Sequence, residues 1–250
     1  MLENTFIHLP NFGYTRERKL WSNGVRTWDE FLDAFGSSQF HKQFCTKIAS
    51  SKNALQLGDA EYFGTVLPQN ETWRAFPNFQ NVAYLDIETT GLGRGDDYTT
   101  VIGIFDGNKV KSYIHGQNMD EFAEDINKYE AIVTFNGSVF DLPFIRKDMP
   151  GIRLSKLHVD LRFVLASLDV RGGLKKIEAQ FGYEREDDLK GLNGYDAVLL
   201  WKAYKQKGDK DALDKLVRYN AADISNLKKL MEWAYTQKRA KTEFDSIVKL

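Results

Sequence analysis

Five side chains stand out in a search of the sequence for chemistry: Asp86, Glu88, Asp141, Tyr219 and Asp223. Asp86 and Glu88 are two apart in a run of β-forming residues, so both leave the same face of a strand with their Cα atoms separated by roughly 7 Å. Two carboxylates so placed can share a cation. Acids at strand ends also serve solubility. The preceding Val82-Ala83-Tyr84-Leu85, however, leaves almost no polar alternation, as expected of a strand covered on both faces, where a charge needs a partner. Asp141, in Asp-Leu-Pro, reads by itself as an N-cap with Pro143 in the first helical turn. Its setting is less ordinary, because Asn136-Gly137-Ser138-Val139-Phe140 places a flexible turn at the carboxyl end of a strand, the edge where open sheets build sites. Asp223 and Tyr219 share a helix face with Leu216, Asn220, Leu227 and Leu230, so an acid and a phenol interrupt an apolar stripe. Either the pair forms a hydrogen bond that fastens the helix, or the acid holds a metal.

Other candidates carry less. Asp160, after His158, suits an N-cap for a helix beginning at Leu161. The four histidines, His8, His41, His115 and His158, have no ligand spacing, which excludes an ordinary zinc site. Gly91, Gly93 and Gly95 hint at a phosphate-binding turn but lack the amphipathic helix of a nucleotide fingerprint. Cys45, the single cysteine, rules out an internal disulfide, reads as a structural thiol, and fits a reducing, cytoplasmic setting. Basic and acidic residues nearly cancel, 34 against 35, so a polyanion must be met by a local patch. No apolar run approaches the roughly 20 residues needed to span a bilayer, and a soluble protein is expected.

The elements that position these residues change character near residue 80. Before it, Arg16–Ser22 and Thr27–Phe35 read as two brief helices, with Thr27 as an N-cap. Leu67–Asn81, with Pro68 and Pro77, reads as a connector. Beyond it, strands are expected at 82–87, 100–105 and 109–114, the last two joined through Asp106-Gly107-Asn108 as a hairpin. A helix over 119–128, a strand over 131–135, a helix from about Leu142, a short strand over 156–159 and helices over 161–168, 174–181 and 196–204 follow. A last helix, with Leu213, Leu216, Val217, Ile224, Leu227 and Leu230 at spacings of three and four, runs to about Tyr235. A meander followed by strand and helix alternation implies an α/β fold: a mixed sheet, antiparallel meander plus parallel strands, flanked by helices, beside a small helical N-terminal region.

Asp86-Ile87-Glu88-Thr89-Thr90-Gly91, then Asn136 to Asp141, then Tyr219-Asn220-Ala221-Ala222-Asp223 resemble, in order, the three exonuclease motifs of the DEDD superfamily, and the tyrosine in the third resembles the DEDDy branch. Gly172-Gly173-Leu174-Lys175-Lys176-Ile177-Glu178, Phe181-Gly182 and Leu199-Leu200-Trp201 further resemble the ribonuclease H-like exonucleases of the YprB type, a likeness that covers about 81–235. The resemblance implies a DnaQ-like, ribonuclease H-like domain over 79–236 between an accessory region over 1–78 and a tail over 237–250. It implies that Asp86, Glu88, Asp141 and Asp223 hold two divalent ions and that Tyr219 positions the attacking water. Thr89, Gly91, Leu92, Asn136 and Phe140 then contact the terminal nucleotide.

The expected reaction is 3′–5′ exonucleolytic hydrolysis of nucleic acid, with single-stranded DNA favoured over RNA, releasing nucleoside 5′-monophosphates. Oxygen ligands with few histidines favour Mg²⁺ or Mn²⁺. Two such ions can stabilise charge on the phosphoryl and leaving oxygens while lowering the pKa of water. Tyrosine, with a solution pKa of about 10, suits orientation better than general-base work. Two rivals remain. A non-catalytic nucleic-acid-binding module should have lost a ligand acid or gained a basic surface, and neither is seen. A ribonuclease H-like endonuclease or resolvase shares the metal chemistry, but the Tyr219 to Asp223 spacing speaks against it. Leu9-Pro10-Asn11-Phe12-Gly13, followed by Leu20, Gly24 and Trp28, resembles a degenerate helix-hairpin-helix, with Asn11 where glycine is usual. A small helical brace is an equal reading of the same segment.

Overall fold

Five strands form one sheet, in spatial order Val110–Ile114, Thr99–Phe105, Val82–Thr89, Ala131–Thr134 and His158–Asp160, in a computed structural model that describes residues 1–92 and 95–248. Helices α1 (Tyr14–Ser22), α2 (Trp28–Phe35), α3 (Lys42–Gln56) and α4 (Ala60–Val66) come first. Then follow β1 (Val82–Thr89), β2 (Thr99–Phe105), β3 (Val110–Ile114), α5 (Phe122–Asp125), β4 (Ala131–Thr134), α6 (Asp141–Asp148) and β5 (His158–Asp160). The rest is helical: α7 (Leu161–Ala166), α8 (Leu174–Gln180), α9 (Gly194–Lys207), α10 (Lys210–Ser225), α11 (Leu227–Lys241) and α12 (Phe244–Ile247). Pairings β1–β2 and β2–β3 are antiparallel, while β1–β4 and β4–β5 are parallel. This is the mixed sheet expected from the sequence, meander and parallel strands included.

The period of two sorts the strands onto two covered faces. Ala83, Leu85, Ile87, Ile102, Ile104 and Ile132 face a core closed by Phe122, Ile126 and α6 through Leu142, Phe144 and Ile145. Val82, Tyr84, Val133 and Val159 face the opposite core, which is shared with α11 and with N-terminal residues Phe6, Trp21, Trp28, Phe63 and Trp73. Asp86 and Glu88 continue that second face toward the carboxyl end of β1, where α10 packs across β1 and β2.

Several elements differ from their expected form. α3 was not foreseen because it buries only Ile48, Ser51 and Ala54, too few apolar positions to produce a periodic signal. The supposed connector is 3₁₀-helical from Gln69 to Asn78 and buries Glu71, Thr72, Trp73, Arg74 and Ala75. Arg74 there pairs with Glu17 at 2.9 Å and Glu71 at 2.6 Å, so it ties α1 to this segment, whose Thr72 hydroxyl donates to the His158 carbonyl of β5 at 2.7 Å. The helix expected over 119–128 is only α5 between two 3₁₀ turns. The last helix is two, interrupted at Asn226; the apolar spacing carries through because Asn226 keeps helical-side angles of φ −93° and ψ −8°. Thr27 does cap α2, with the reciprocal Glu30 contact of a capping box.

The Leu9–Gly13 turn is left-handed at Asn11, φ 61°, and leads into α1, but only a 3₁₀ turn, Leu2–Asn4, precedes it among the described residues. Phe244 of α12 stacks edge-on against Trp21 at 5.0 Å. No helix among the described residues is long and apolar enough to cross a membrane.

Candidate active site

Register places the first two acids. Asp86 sits opposite Gly103 and Glu88 opposite Val101 on β2, with a bulge between Glu88 and Thr89. Gly103 answers to packing: a Cβ there would run into the Asn220 side chain and touch Ile224, so glycine lets α10 approach the sheet. Asn220, fully buried, uses that proximity to donate from Nδ2 to Asp86 Oδ2 at 3.0 Å. One turn along α10, Asp223 completes a group in which one carboxylate oxygen each from Asp86, Glu88 and Asp223 lies within 4.8 Å of the others.

Asp141 reaches the same place from the other side of β1. β4 spans only four residues and pairs with β1 no further than Tyr84. The Ile87 N–H, beyond that point, donates to Asp141 Oδ1 at 3.1 Å. This contact corrects the N-cap reading: Phe140 holds the cap position and Asp141 is the first residue of α6. Asp160 is a cap, accepting from Arg162 N at 3.1 Å, and it also gathers Asn136 N at 2.8 Å and Ser138 N at 3.0 Å. It thereby fixes the turn that delivers Asp141.

Packed acids repel. Burial, then Asp141, Asp223 and Glu88, raise the Asp86 pKa well above its ordinary range. Burial, then Asp223 and Asp141, do the same for Glu88. Burial pushes Asp141 up to about 7 against the pull of its backbone hydrogen bonds. Asp223 is also raised by burial, opposed by Arg185. Such a cluster favours a shared cation, and the all-oxygen donor set fits a hard divalent ion.

Two cations flank it. Arg185 Nη2 lies 2.5 Å from Asp223 Oδ1 and also pairs with buried Glu178, which accepts from Asn226 at 3.1 Å. Lys175 donates from Nζ to the Tyr219 hydroxyl at 2.6 Å. The phenol is thus engaged with α8, rather than tying down Asp223, and burial raises its pKa. Sequence reasoning missed Lys175, Glu178, Arg185 and Gly103 as site-building residues. A signal existed for Glu178, an acid in the stripe Leu174, Ile177, Glu178, Phe181, and for Gly103, a glycine inside a strand.

The remaining expected residues have unlike surroundings. Thr89 is buried and its hydroxyl donates to Gly91 O at 2.6 Å. Leu92 is 81% exposed. Asn136 adopts a left-handed φ of 71° and its Oδ1 accepts from Arg162 at 2.6 Å, while Phe140 packs on Phe144 at 5.5 Å. Gly91 sits against Asp97, and Gly93 lies outside the described residues.

Comparison with curated proteins returned no match. A family model described as RNase_H superfamily matches residues 83–235, a span that begins in β1, ends in α11 and contains every acid of the cluster. With a mixed sheet whose central strand delivers paired acids to that cluster, the chain belongs to the RNase H superfamily.

Proposed function

We propose that the protein is a metal-dependent 3′–5′ exonuclease that hydrolyses nucleic acid, single-stranded DNA in preference to RNA, to nucleoside 5′-monophosphates. The observation that supports this reading is the convergence of Asp86, Glu88 and Asp223 within 4.8 Å, with Tyr219 one helical turn before Asp223. Asp86, Glu88, Asp223 and the adjoining Asp141 would hold two Mg²⁺ or Mn²⁺ ions. When bound, these supply positive charge to the phosphoryl and leaving oxygens and acidify water.

The side chains have separable tasks. Asn220 orients Asp86, and Arg185 orients Asp223. Tyr219, its oxygen already accepting from Lys175, can direct its own proton toward a water and so fix its approach. Leu92 and Phe140 offer apolar surface to a terminal base; Thr89, Gly91 and Asn136 border the same turns. The N-terminal region, 1–78, acts as a helical cover that buttresses the 79–236 unit.

The test is end-labelled single-stranded DNA, RNA and duplex incubated with Mg²⁺ or Mn²⁺, with products resolved by length. Stepwise mononucleotide release that a 3′ block prevents and a 5′ block does not is expected. Cleavage of circular DNA as fast as linear would replace this reading with an endonuclease.

A further inference from the structure

A cavity of about 560 Å³ borders the turn that delivers Asp141, its walls including Phe135, Asn136, Arg162, Arg171, Gly172 and Gly173. Its charge sets it apart. Two guanidinium groups line it with no carboxylate, whereas four other cavities each include at least one acid in their walls. Its position is equally particular. Asn136 opens the turn that ends at Asp141, and Gly173 precedes by two residues the Lys175 that touches Tyr219. Two residues of chain span at most about 7 Å, so the cavity wall lies within that reach of the Lys175 backbone.

The backbone there is bare. Gly172 holds φ 146°, a conformation L side chains rarely adopt, and a Cβ at Gly173 would meet open space. A strand can therefore come close to the main chain. Arg162 spends one donor on Asn136 Oδ1, and a guanidinium has five. Arg171, three-quarters exposed, has Asp169 at 3.9 Å as its nearest acid among the described residues. Planar forked donors of this kind match phosphate oxygens.

We propose that this cavity binds phosphodiester groups of the substrate strand on the 5′ side of the scissile bond. The assignment rests on the exonuclease reading. An enzyme that removes one 3′-terminal nucleotide has the whole remaining strand on the other side of the cut, and that strand must cross the surface next to the acids. Near-zero net charge gives the protein no general attraction for a polyanion, so a local cationic groove has to supply it.

The test is fluorescence anisotropy of 5′-labelled oligothymidylates in EDTA, which separates binding from turnover. Parent, Arg171→Gln, Arg171→Lys and a control, Lys19→Gln on α1, are compared. Arg171→Gln should weaken binding of a twelve-nucleotide strand roughly five- to tenfold at about 50 mM salt and flatten the slope of log affinity against log salt by about 0.7. Arg171→Lys should keep the slope, and a dinucleotide should show no difference between parent and Arg171→Gln. Equal affinity and slope in parent and Arg171→Gln overturns the subsite while leaving the exonuclease reading intact. Inorganic phosphate that displaces long and short strands equally makes the cavity a free-phosphate site and also overturns it. Cleavage of circular DNA by a parent that passes the salt test removes the exonuclease reading instead.

Discussion

The Lys175 ammonium lies 2.6 Å from the Tyr219 hydroxyl and 4.4 Å from the centre of its ring, so α8 and α10 meet at the phenol. If that contact sets the hydroxyl's direction, the two residues act as one unit. Tyr219→Phe should lower the single-turnover rate about ten- to a thousandfold, the range for one positioned hydrogen bond. Lys175→Met should fall within the same range, and the double variant should be little worse than the worse single one. Fully additive losses would separate their roles.

Ligands and orienting groups should part company in metal binding. Asp86→Asn and Asp223→Asn each remove a carboxylate from the cluster and should nearly abolish turnover together with calorimetric Mn²⁺ binding. Tyr219→Phe should bind Mn²⁺ like the parent. An Asp223→Asn protein that titrates and cleaves normally would end the proposed ligand set.

The repulsion among the acids carries a pH signature. Asp141, pushed up to about 7 by burial, binds a proton in the folded protein that the unfolded chain has released above about 4. Asp141's contribution to metal-free stability should therefore fall as pH rises from about 4 through about 7, and level off above. Thermal unfolding in EDTA should show the parent losing ground to Asp141→Asn across that window. Saturating Mn²⁺ should raise the parent's midpoint most above pH 7. Parallel parent and variant curves would contradict the buried, protonated carboxyl.

Gly103→Ala probes the fit of helix to strand. The added methyl must push Asn220 away, and with it the hydrogen bond to Asp86. Weaker Mn²⁺ binding and slower cleavage are expected, with overpacking costing about 1–3 kcal/mol of stability in urea unfolding. Unchanged metal affinity would show that Asp86 needs no such support.

Arg74→Met tests the joint between the N-terminal helices and the sheet. It leaves Glu17, 1% exposed, and Glu71, 2% exposed, without their buried counter-charge, a loss of about 3–5 kcal/mol by urea denaturation. A shift under about 1 kcal/mol would mean that Lys238, 3.9 Å from Glu71, takes over the role.

The candidate site was legible where chemistry interrupts a periodic pattern. Asp86 and Glu88 break a covered strand, and Asp223 breaks a helical stripe; the mixed character of the sheet followed from the hairpin and the later alternation. Lys175 and Arg185 were not legible, because exposed-looking cations on a short helix and in a loop are common and only tertiary packing brings them to the acids. Asp141 was seen but misread locally. Its neighbours spell a cap, and what the carboxylate accepts is the N–H of Ile87, exposed because β4 stops early. The Gln69–Asn78 segment misled for a related reason: polar residues suggested solvent, yet Glu71 and Arg74 satisfy one another out of water.

The stacking of Phe244 on Trp21, with Arg18 donating to the Lys241 carbonyl 223 residues away, has a consequence for biosynthesis. At roughly 5–20 residues per second, a ribosome needs about ten to forty-five seconds to supply the ring that Trp21 packs against. During that interval Trp21, one of the largest buried side chains of the molecule, lacks this partner, and a chaperone that shields it would be needed from the time α1 emerges.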